Sequence, residues 1–222
     1  MSLIPAGQVI EAVLFDLDGT LILSEDRTDA AVLALLTERG IHTPSDVDLT
    51  HFHGVTWAAI ARLLVDRWPV LNGVDVAGLM QRYFHQTFVV DPPKPVPGAL
   101  QAVAAASSAL PVAIVTSSNR ETLELVSEQL QLTGLVAATV CAEDCRESKP
   151  SPEPFALAAE RLGVAPERCL IFEDSAAGVR AGVTVGAAVV AVGPESGHEP
   201  WIADFESLPA DLFSRRAYDD HG

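Results

Sequence analysis

The chain has 222 residues and a formal net charge of −16 at pH 7, because 30 Asp and Glu residues outnumber 14 Lys and Arg residues. This acidic surplus argues against a protein that binds the nucleic-acid backbone, since the phosphates would be repelled. No run of about 18 apolar residues is present, so we expect neither a membrane span nor a membrane partner. The first residues also lack a signal-peptide pattern. Three sparse cysteines offer no disulfide framework, which favours a reducing cytoplasm.

A short apolar run near the start ends in two carboxylates. Ala12–Phe15 shows no polar alternation, which predicts a strand buried on both faces, as in a parallel sheet. Asp16 and Asp18 follow, at the end of the strand where ligands bind in such sheets. Gly19 would let the chain leave the strand in a conformation that other residues resist. Two carboxylates at this spacing suit a cation or a shared proton, although Asp is also common in ordinary turns.

Residues 25–90 have helical patterning and no clear strand. Apolar side chains recur at helical spacing over about 26–39, 56–68 and 74–89. Residues 91–98 then contain four prolines, which make a stiff, non-helical connector. We therefore predict an inserted helical domain with one hinge near 21–24 and the other at 91–98.

Strands and helices alternate after this connector. The predicted strands lie at 112–115, near 136–140, at 169–172 and at about 187–192. The predicted helices lie at about 98–109, 120–130 and 152–162, with a short one that stops at Gly182. Such alternation is typical of βαβ units and a parallel sheet, so the predicted fold class is α/β. The residues after Pro194 show no readable pattern.

The clear strands end in polar residues, which a parallel sheet would bring to one edge. These residues are Asp16 and Asp18, Thr116 and Ser117, and Glu173 and Asp174. Lys149, one of only two lysines, is a candidate counter-charge for this acidic edge. Simple structural roles fit as well. Thr116 and Ser117 could cap a helix, Lys149 could be a surface residue, and Glu173 could be an exposed loop acid.

Four short motifs carry a resemblance to a known family, the haloacid dehalogenase superfamily, in the subfamily with a helical cap inserted after the first motif. In order, they are Asp16-Leu17-Asp18-Gly19-Thr20, Thr116-Ser117-Ser118-Asn119, Lys149-Pro150 and Glu173-Asp174-Ser175-Ala176-Ala177-Gly178. The ordered set is more specific than the first motif alone. The resemblance implies a Rossmann-like parallel-sheet core at residues 1–21 and 96–222 and a helical cap domain at 22–95.

The same resemblance implies hydrolysis of a phosphate monoester through an aspartyl-phosphate intermediate. Asp16 would be the nucleophile, and Asp18 would protonate the leaving group and then take a proton from water. The phosphoryl group would be bound by Thr116, Ser117, Asn119 and Lys149, of which Thr116 and Lys149 are also counted as catalytic.

The resemblance further implies Mg²⁺ as the cofactor. Its ligands would be the side chains of Asp16 and Asp174 and the backbone carbonyl of Asp18, with Glu173 a ligand or a neighbour of one. The charges explain why a cation is needed, because Asp16, Glu173 and Asp174 together carry a charge of about −3 and a phosphate dianion carries about −2. Like charges roughly 4 Å apart cost about 4 kcal/mol per pair at an effective dielectric constant of about 20.

Differences between this chain and other members of the family narrow the range of reactions that the resemblance predicts. Members that remove halide lack an aspartate at the place of Asp18, and phosphonate-cleaving members use a cap lysine, whereas residues 23–93 contain none. β-Phosphoglucomutases resemble the chain more closely. They carry an arginine where this chain has Trp57 and a histidine in the first linker, where 23–28 has none. Both departures favour a phosphatase, although Arg27 or Arg62 could replace that arginine.

Candidate substrate contacts in the cap are His53, Gly54 and Trp57. Trp57 could stack on a sugar ring or belong to the packing of a helix, and His53 could be a solvated loop residue. We predict a Mg²⁺-dependent phosphatase of a small phosphorylated metabolite such as a sugar phosphate, which is a monomer or weak homo-oligomer. The alternatives are a β-phosphoglucomutase-type isomerase and a non-catalytic binding protein.

Overall fold

The computed structural model describes residues 3–5, 7–42, 48–52 and 56–213. His53 and Gly54, two of the candidate cap contacts, lie outside these residues. The strands are β1 Ala12–Phe15, β2 Ile22–Leu23, β3 Lys94–Pro95, β4 Val112–Val115, β5 Ala138–Val140, β6 Cys169–Glu173, β7 Ala188–Val192 and β8 Trp201–Ile202. The α-helices are α1 Glu25–Glu38, α2 Trp57–Arg67, α3 Val76–Val90, α4 Ala99–Ala109, α5 Arg120–Gln129, α6 Glu153–Leu162 and α7 Ala176–Thr184.

A parallel six-stranded sheet organises the structure, with strand order β5-β4-β1-β6-β7-β8. The central strand β1 pairs with β4 through Val13 and Val112, and with β6 through Val13 and Leu170. All residues of β1 are buried, as its unbroken apolar sequence predicts. The α/β fold class with a parallel sheet is therefore confirmed, and the chain reverses its winding direction at β1.

Both faces of the sheet are covered by apolar side chains. On one face, Phe15 and Phe172 lie on neighbouring strands and stack with ring centroids 5.2 Å apart. Phe205, from the single-turn helix Phe205–Ser207, packs on both rings at 6.0 and 5.3 Å. The segment after Pro194, which has no readable pattern in the sequence, thus adds the edge strand β8 and closes this face of the core.

Helices α1, α2 and α3 bury a hydrophobic cluster of their own, which includes Leu35, Leu64 and Met80. The two connections to this helical part pair as a small antiparallel sheet of β2 and β3, with Ile22 opposite Pro95. Part of the proline-rich connector therefore forms a short strand, β3, which the sequence did not predict. The division of the chain into a core and a cap stays a prediction, and the separate cluster favours it.

One predicted boundary was wrong. Helix α7 does not stop at Gly182 but continues to Thr184. Gly182 is needed for close packing, since a Cβ there would lie 2.8 Å from Cγ2 of Val189 and 3.0 Å from Cδ1 of Ile171. A glycine that brings a helix against the sheet has the same sequence signature as one that ends the helix. Among the described residues, no helix has the length and apolar composition that crossing a bilayer requires.

Candidate active site

The carboxyl ends of β1 and β6 bring three acids together. Asp16 follows β1, Glu173 ends β6, and Asp174 comes next; each offers a carboxylate oxygen, and these oxygens lie within 4.8 Å of one another. Asp16 and Glu173 are almost completely buried. The sheet edge predicted to collect the polar residues is therefore where this acidic cluster lies.

Lys149 supplies the counter-charge within this cluster. Its Nζ lies 2.5 Å from Oδ1 of Asp16, 2.7 Å from Oε2 of Glu173 and 3.0 Å from the carbonyl oxygen of Val115. Burial by itself would lower the pKa of Lys149, but the carboxylates of Asp16 and Glu173 raise it above its ordinary value. The side chain is therefore a buried, charged ammonium. The alternative interpretation from the sequence, a lysine on the surface, does not apply.

One lysine does not balance three acids. The pKa of Asp16 is raised to about 8, chiefly by burial and also by the charges of Glu173 and Asp18, against the opposing effect of Lys149. Burial, with Glu173 and Asp16 nearby, also raises the pKa of Asp174 well above its ordinary value. Oδ2 of Asp16 is buried and has no hydrogen-bond partner among the described residues. A cluster of hard oxygens with surplus negative charge fits a divalent cation such as Mg²⁺.

Two glycines make room for the acids. At Gly19, whose φ is +83°, a Cβ would lie 2.1 Å from Oδ2 of Asp174. At Gly178, in the first turn of α7, a Cβ would lie 2.0 Å from Oε2 of Glu173. Any larger side chain at these positions would push an acid out of the cluster, which is the physical reason for glycine in the first and fourth motifs.

Asp18 lies beside the cluster in a different environment. Its Oδ2 accepts hydrogen bonds from the Ser118 hydroxyl at 2.7 Å and from the Thr116 hydroxyl at 3.1 Å. Burial raises the pKa of Asp18, and the two hydroxyl groups oppose that shift. A carboxyl group that is held in position and has a raised pKa is suited to donate and accept a proton.

Two of the predicted phosphate contacts, Thr116 and Asn119, already have hydrogen-bond partners within the chain. The Thr116 hydroxyl donates to Asp18 and accepts from the backbone N–H of Ser118. Oδ1 of Asn119 accepts from the backbone N–H of Thr122, so this side chain caps α5. Ser117 does line the cavity above the acids, whereas Thr116 lines an adjoining one and Asn119 neither.

Three hydroxyl side chains support the acids and were not singled out from the sequence. They are Ser118, which bonds Asp18, Thr20, whose hydroxyl donates to Oδ1 of Asp174 at 3.1 Å, and Ser175, whose hydroxyl donates to Oε1 of Glu173 at 2.8 Å. All three belong to the motifs, one or two places from the residues that were selected. Their position inside the motifs is the signal that could have identified them.

The helical part of the chain covers this edge of the sheet. Above the acids is a cavity whose other walls come from α1, from the segment before and within α2, and from α3. These walls comprise Ser24, Glu25, Thr28, Phe52, Thr56, Trp57 and Phe84. The Trp57 ring packs edge-on against Phe84, with centroids 5.1 Å apart, and it also lines the cavity. The helix packing considered for Trp57 is therefore observed, whereas its stacking on a sugar ring stays a prediction.

Comparison with known proteins agrees with the motifs. A family model described as a haloacid dehalogenase-like hydrolase matches residues 10–186. The chain belongs to the haloacid dehalogenase-like hydrolases. Among relatives of this hydrolase, hexitol phosphatase A of Escherichia coli is 31% identical over 81% of each chain. A phosphoglycolate phosphatase of Xylella fastidiosa is 30% identical over 91% of each.

Two further likenesses concern a longer protein and a solved structure. SUPPRESSOR OF QUENCHING 1, a chloroplastic protein of Arabidopsis thaliana, is 32% identical over 82% of this hydrolase, which spans only 18% of that protein. The crystal structure of β-phosphoglucomutase from Clostridium difficile superposes with a TM-score of 0.75 at 21% identity, covering 90% of this chain and 94% of that one. This second likeness concerns the fold alone.

Proposed function

We propose that this hydrolase is a Mg²⁺-dependent phosphatase of a small phosphorylated metabolite, in the class of sugar and polyol phosphates. The observation that carries the proposal is the pair of differently held carboxyl groups below one cavity. Lys149 holds one oxygen of Asp16 and leaves the other without a partner among the described residues. Ser118 and Thr116 hold Asp18, whose pKa is raised. Two relatives that are named as phosphatases match this chain over most of their length, which supports the same activity.

The two carboxyl groups divide the reaction between them. A carboxylate oxygen of Asp16 attacks phosphorus, the bond from phosphorus to the ester oxygen breaks, and Asp18 gives its proton to that oxygen. Asp18 then takes a proton from a water molecule, which attacks the acyl phosphate and releases inorganic phosphate, restoring Asp16. Lys149 and the backbone N–H of Ser117, close to the start of α5, stabilise the negative charge of the phosphoryl oxygens.

The acidic cluster would hold the metal ion. Asp16 and Asp174, with Glu173 as a ligand or a neighbour of one, offer carboxylate oxygens for Mg²⁺, and the backbone carbonyl of Asp18 is the fourth predicted ligand. When bound, Mg²⁺ offsets negative charge on the phosphoryl group and the acids. The raised pKa values of Asp16 and Asp174 support this assignment, because they reflect buried carboxylates that also repel neighbouring acids, and a bound cation would offset both effects.

Two arginines that could replace the mutase arginine are engaged elsewhere. The Arg27 guanidinium donates to the Thr87 carbonyl in α3, and to Asp91 and the Pro92 carbonyl just after that helix. Arg62 is exposed, and its Nε donates to the carbonyl of Ala58. Neither lines the cavity. Apart from Lys149, no described residue that lines this cavity is a cation that could hold a second phosphate, which favours net hydrolysis over isomerisation.

The metal assignment gives a testable result. In the wild-type protein the melting temperature should rise with Mg²⁺ concentration, because a ligand at 100 times its dissociation constant adds about 2.7 kcal/mol to the free energy of unfolding. Asp174→Asn should remove most of that rise. Thermal unfolding with and without Mg²⁺ measures both, and Asp26→Asn, the same change at an exposed residue outside the cavity, is the control. Equal rises in all three proteins would contradict the site.

Phosphate release from a substrate panel tests the activity itself. With Mg²⁺, we expect net release of inorganic phosphate from at least one ester in a panel of phosphorylated sugars, polyols and small acids. If nothing is released, conversion of β-glucose 1-phosphate with a bisphosphate primer would identify an isomerase instead. If neither assay showed turnover, a non-catalytic binding protein would be the remaining alternative. The cytoplasmic location and the monomeric or weakly associated state stay predictions.

A further inference from the structure

The cavity has a second chemical character beyond the phosphoryl site. Away from the acidic cluster, its described walls combine hydroxyl groups of Ser24, Thr28 and Thr56 with the rings of Trp57 and Phe84. Glu25 is also one of the lining residues. Hydroxyl groups and aromatic faces bind hydroxylated carbon chains, and a carboxylate accepts hydrogen bonds from hydroxyl groups but repels other anions.

Charge in the described cavity wall is one-sided. Five of the lining residues are acids, namely Asp16, Asp18, Glu25, Glu173 and Asp174. Lys149 is the only cation among the described lining residues, and it is already paired with Asp16 and Glu173. Mg²⁺ and Lys149 would balance the catalytic acids and the reacting phosphoryl group. Glu25 is the acid of the described cavity wall whose charge this balance does not offset.

Glu25 is held in place at the start of α1. Its Oε2 accepts a hydrogen bond from the backbone N–H of Ser24 at 3.1 Å, and its Oε1 has no partner within the described part of the chain. An acid in the first turn also stabilises a helix, so Glu25 could have that role alone. Asp26 has the same role in the same turn, is exposed and does not line the cavity. The two residues therefore separate the helix effect from a cavity effect.

We propose that Glu25 makes this hydrolase selective for phosphate esters whose leaving group is neutral and hydroxylated, against those that carry a carboxylate or a second phosphate. The inference rests on the proposed phosphatase function and narrows its substrate class to monophosphates of polyols and sugars. A fixed carboxylate a few ångströms from a second anion disfavours it by about tenfold or more at the effective dielectric constant near a protein surface. A substrate hydroxyl that donates to Oε1 adds the attractive part.

Among the described residues, an adjoining cavity holds a feature that opposes this selectivity. It shares Thr56, Trp57 and Ser117 with the main cavity and is also lined by Arg146. Arg146 is exposed, and its backbone N–H donates to Glu153. An anionic substrate that extended into this second space would find a cation there. The experiment below therefore includes Arg146.

Matched esters test the proposal. 2-Hydroxyethyl phosphate and phosphoglycolate differ only in an alcohol and a carboxylate, and glycerol 3-phosphate and 3-phosphoglycerate form a second pair. With Mg²⁺, kcat/KM should favour the neutral member of each pair. Glu25→Gln should reduce that preference about tenfold, while Asp26→Asn should leave it unchanged. Because the comparison is a ratio between variants, the different intrinsic reactivities of the esters cancel.

Each other outcome has a definite meaning. An unchanged ratio in Glu25→Gln, with phosphate still released, would overturn the role of Glu25 and leave the phosphatase intact. A wild-type preference for the anionic esters would also overturn it, and its loss in Arg146→Gln would assign selection to the adjoining cavity. If the wild-type protein released phosphate from none of these esters or the wider panel, the proposed function would fail, and this inference with it.

Discussion

Asp16→Asn should abolish phosphate release, with a loss of at least about 1,000-fold, or about 4 kcal/mol in the activation barrier. An amide is a poor nucleophile, so the covalent step is lost, and it is also a weaker ligand for Mg²⁺. Asp16 is the acid that combines a short contact to Lys149 with a buried oxygen lacking a described partner. The measurement is phosphate release from the best ester of the panel with saturating Mg²⁺.

Controls separate lost chemistry from lost structure. Asp26→Asn makes the same chemical change at an exposed position, and its turnover should match the wild type. The Asp16 variant should still unfold cooperatively in urea, because Lys149 keeps its contact with Glu173 and a charge that resists burial has been removed. Turnover within tenfold of the wild type in Asp16→Asn would rule out the proposed nucleophile.

The central sheet could be predicted from the sequence because burial on both faces leaves an unmistakable pattern. β1 and β4 are continuous apolar runs, and their predicted bounds agree with the structure. The two-residue strands β2, β3 and β8 carry no such pattern. Strands this short form because neighbouring segments offer partners for their backbone groups, which is a property of the tertiary structure. The packing of Phe205 on the sheet could not be predicted from the sequence for the same reason.

The acids of the candidate active site were easier to predict than the cavity walls. Asp16, Glu173 and Asp174 lie at or directly after the carboxyl ends of strands, so sheet topology alone brings them to one edge. Glu25, Thr28 and Phe84 enter the cavity only because α1 and α3 lie above that edge, and nothing in helical periodicity distinguishes a cavity wall from a solvated face. The predicted phosphate contact of Asn119 and its observed capping of α5 both follow from a polar residue before a helix.

Lys149→Met should cause the largest loss of stability among the changes considered. In metal-free buffer near neutral pH, we expect the free energy of unfolding to fall by about 3 to 5 kcal/mol, the typical cost of removing one partner from a buried ion pair. Asp16 and Glu173 would then be buried without their counter-charge, and the carbonyl of Val115 would lose a donor. Methionine retains an apolar chain to pack against the ring of Phe155, so the loss reports on charge. Urea denaturation measures it.

Three comparisons make this result specific. The chain has one other lysine, Lys94, which is exposed in β3, so Lys94→Met should unfold at the same urea concentration as the wild type. Adding Glu173→Gln to Lys149→Met should restore part of the stability, because it removes one of the two unpaired charges, but it should not restore phosphate release. Mg²⁺ should stabilise Lys149→Met more than the wild type, since the cation then offsets charge that Lys149 no longer balances. If Lys149→Met and Lys94→Met unfolded at the same urea concentration, Lys149 would not be the counter-charge of the acidic cluster, and a cation would have to balance the acids alone.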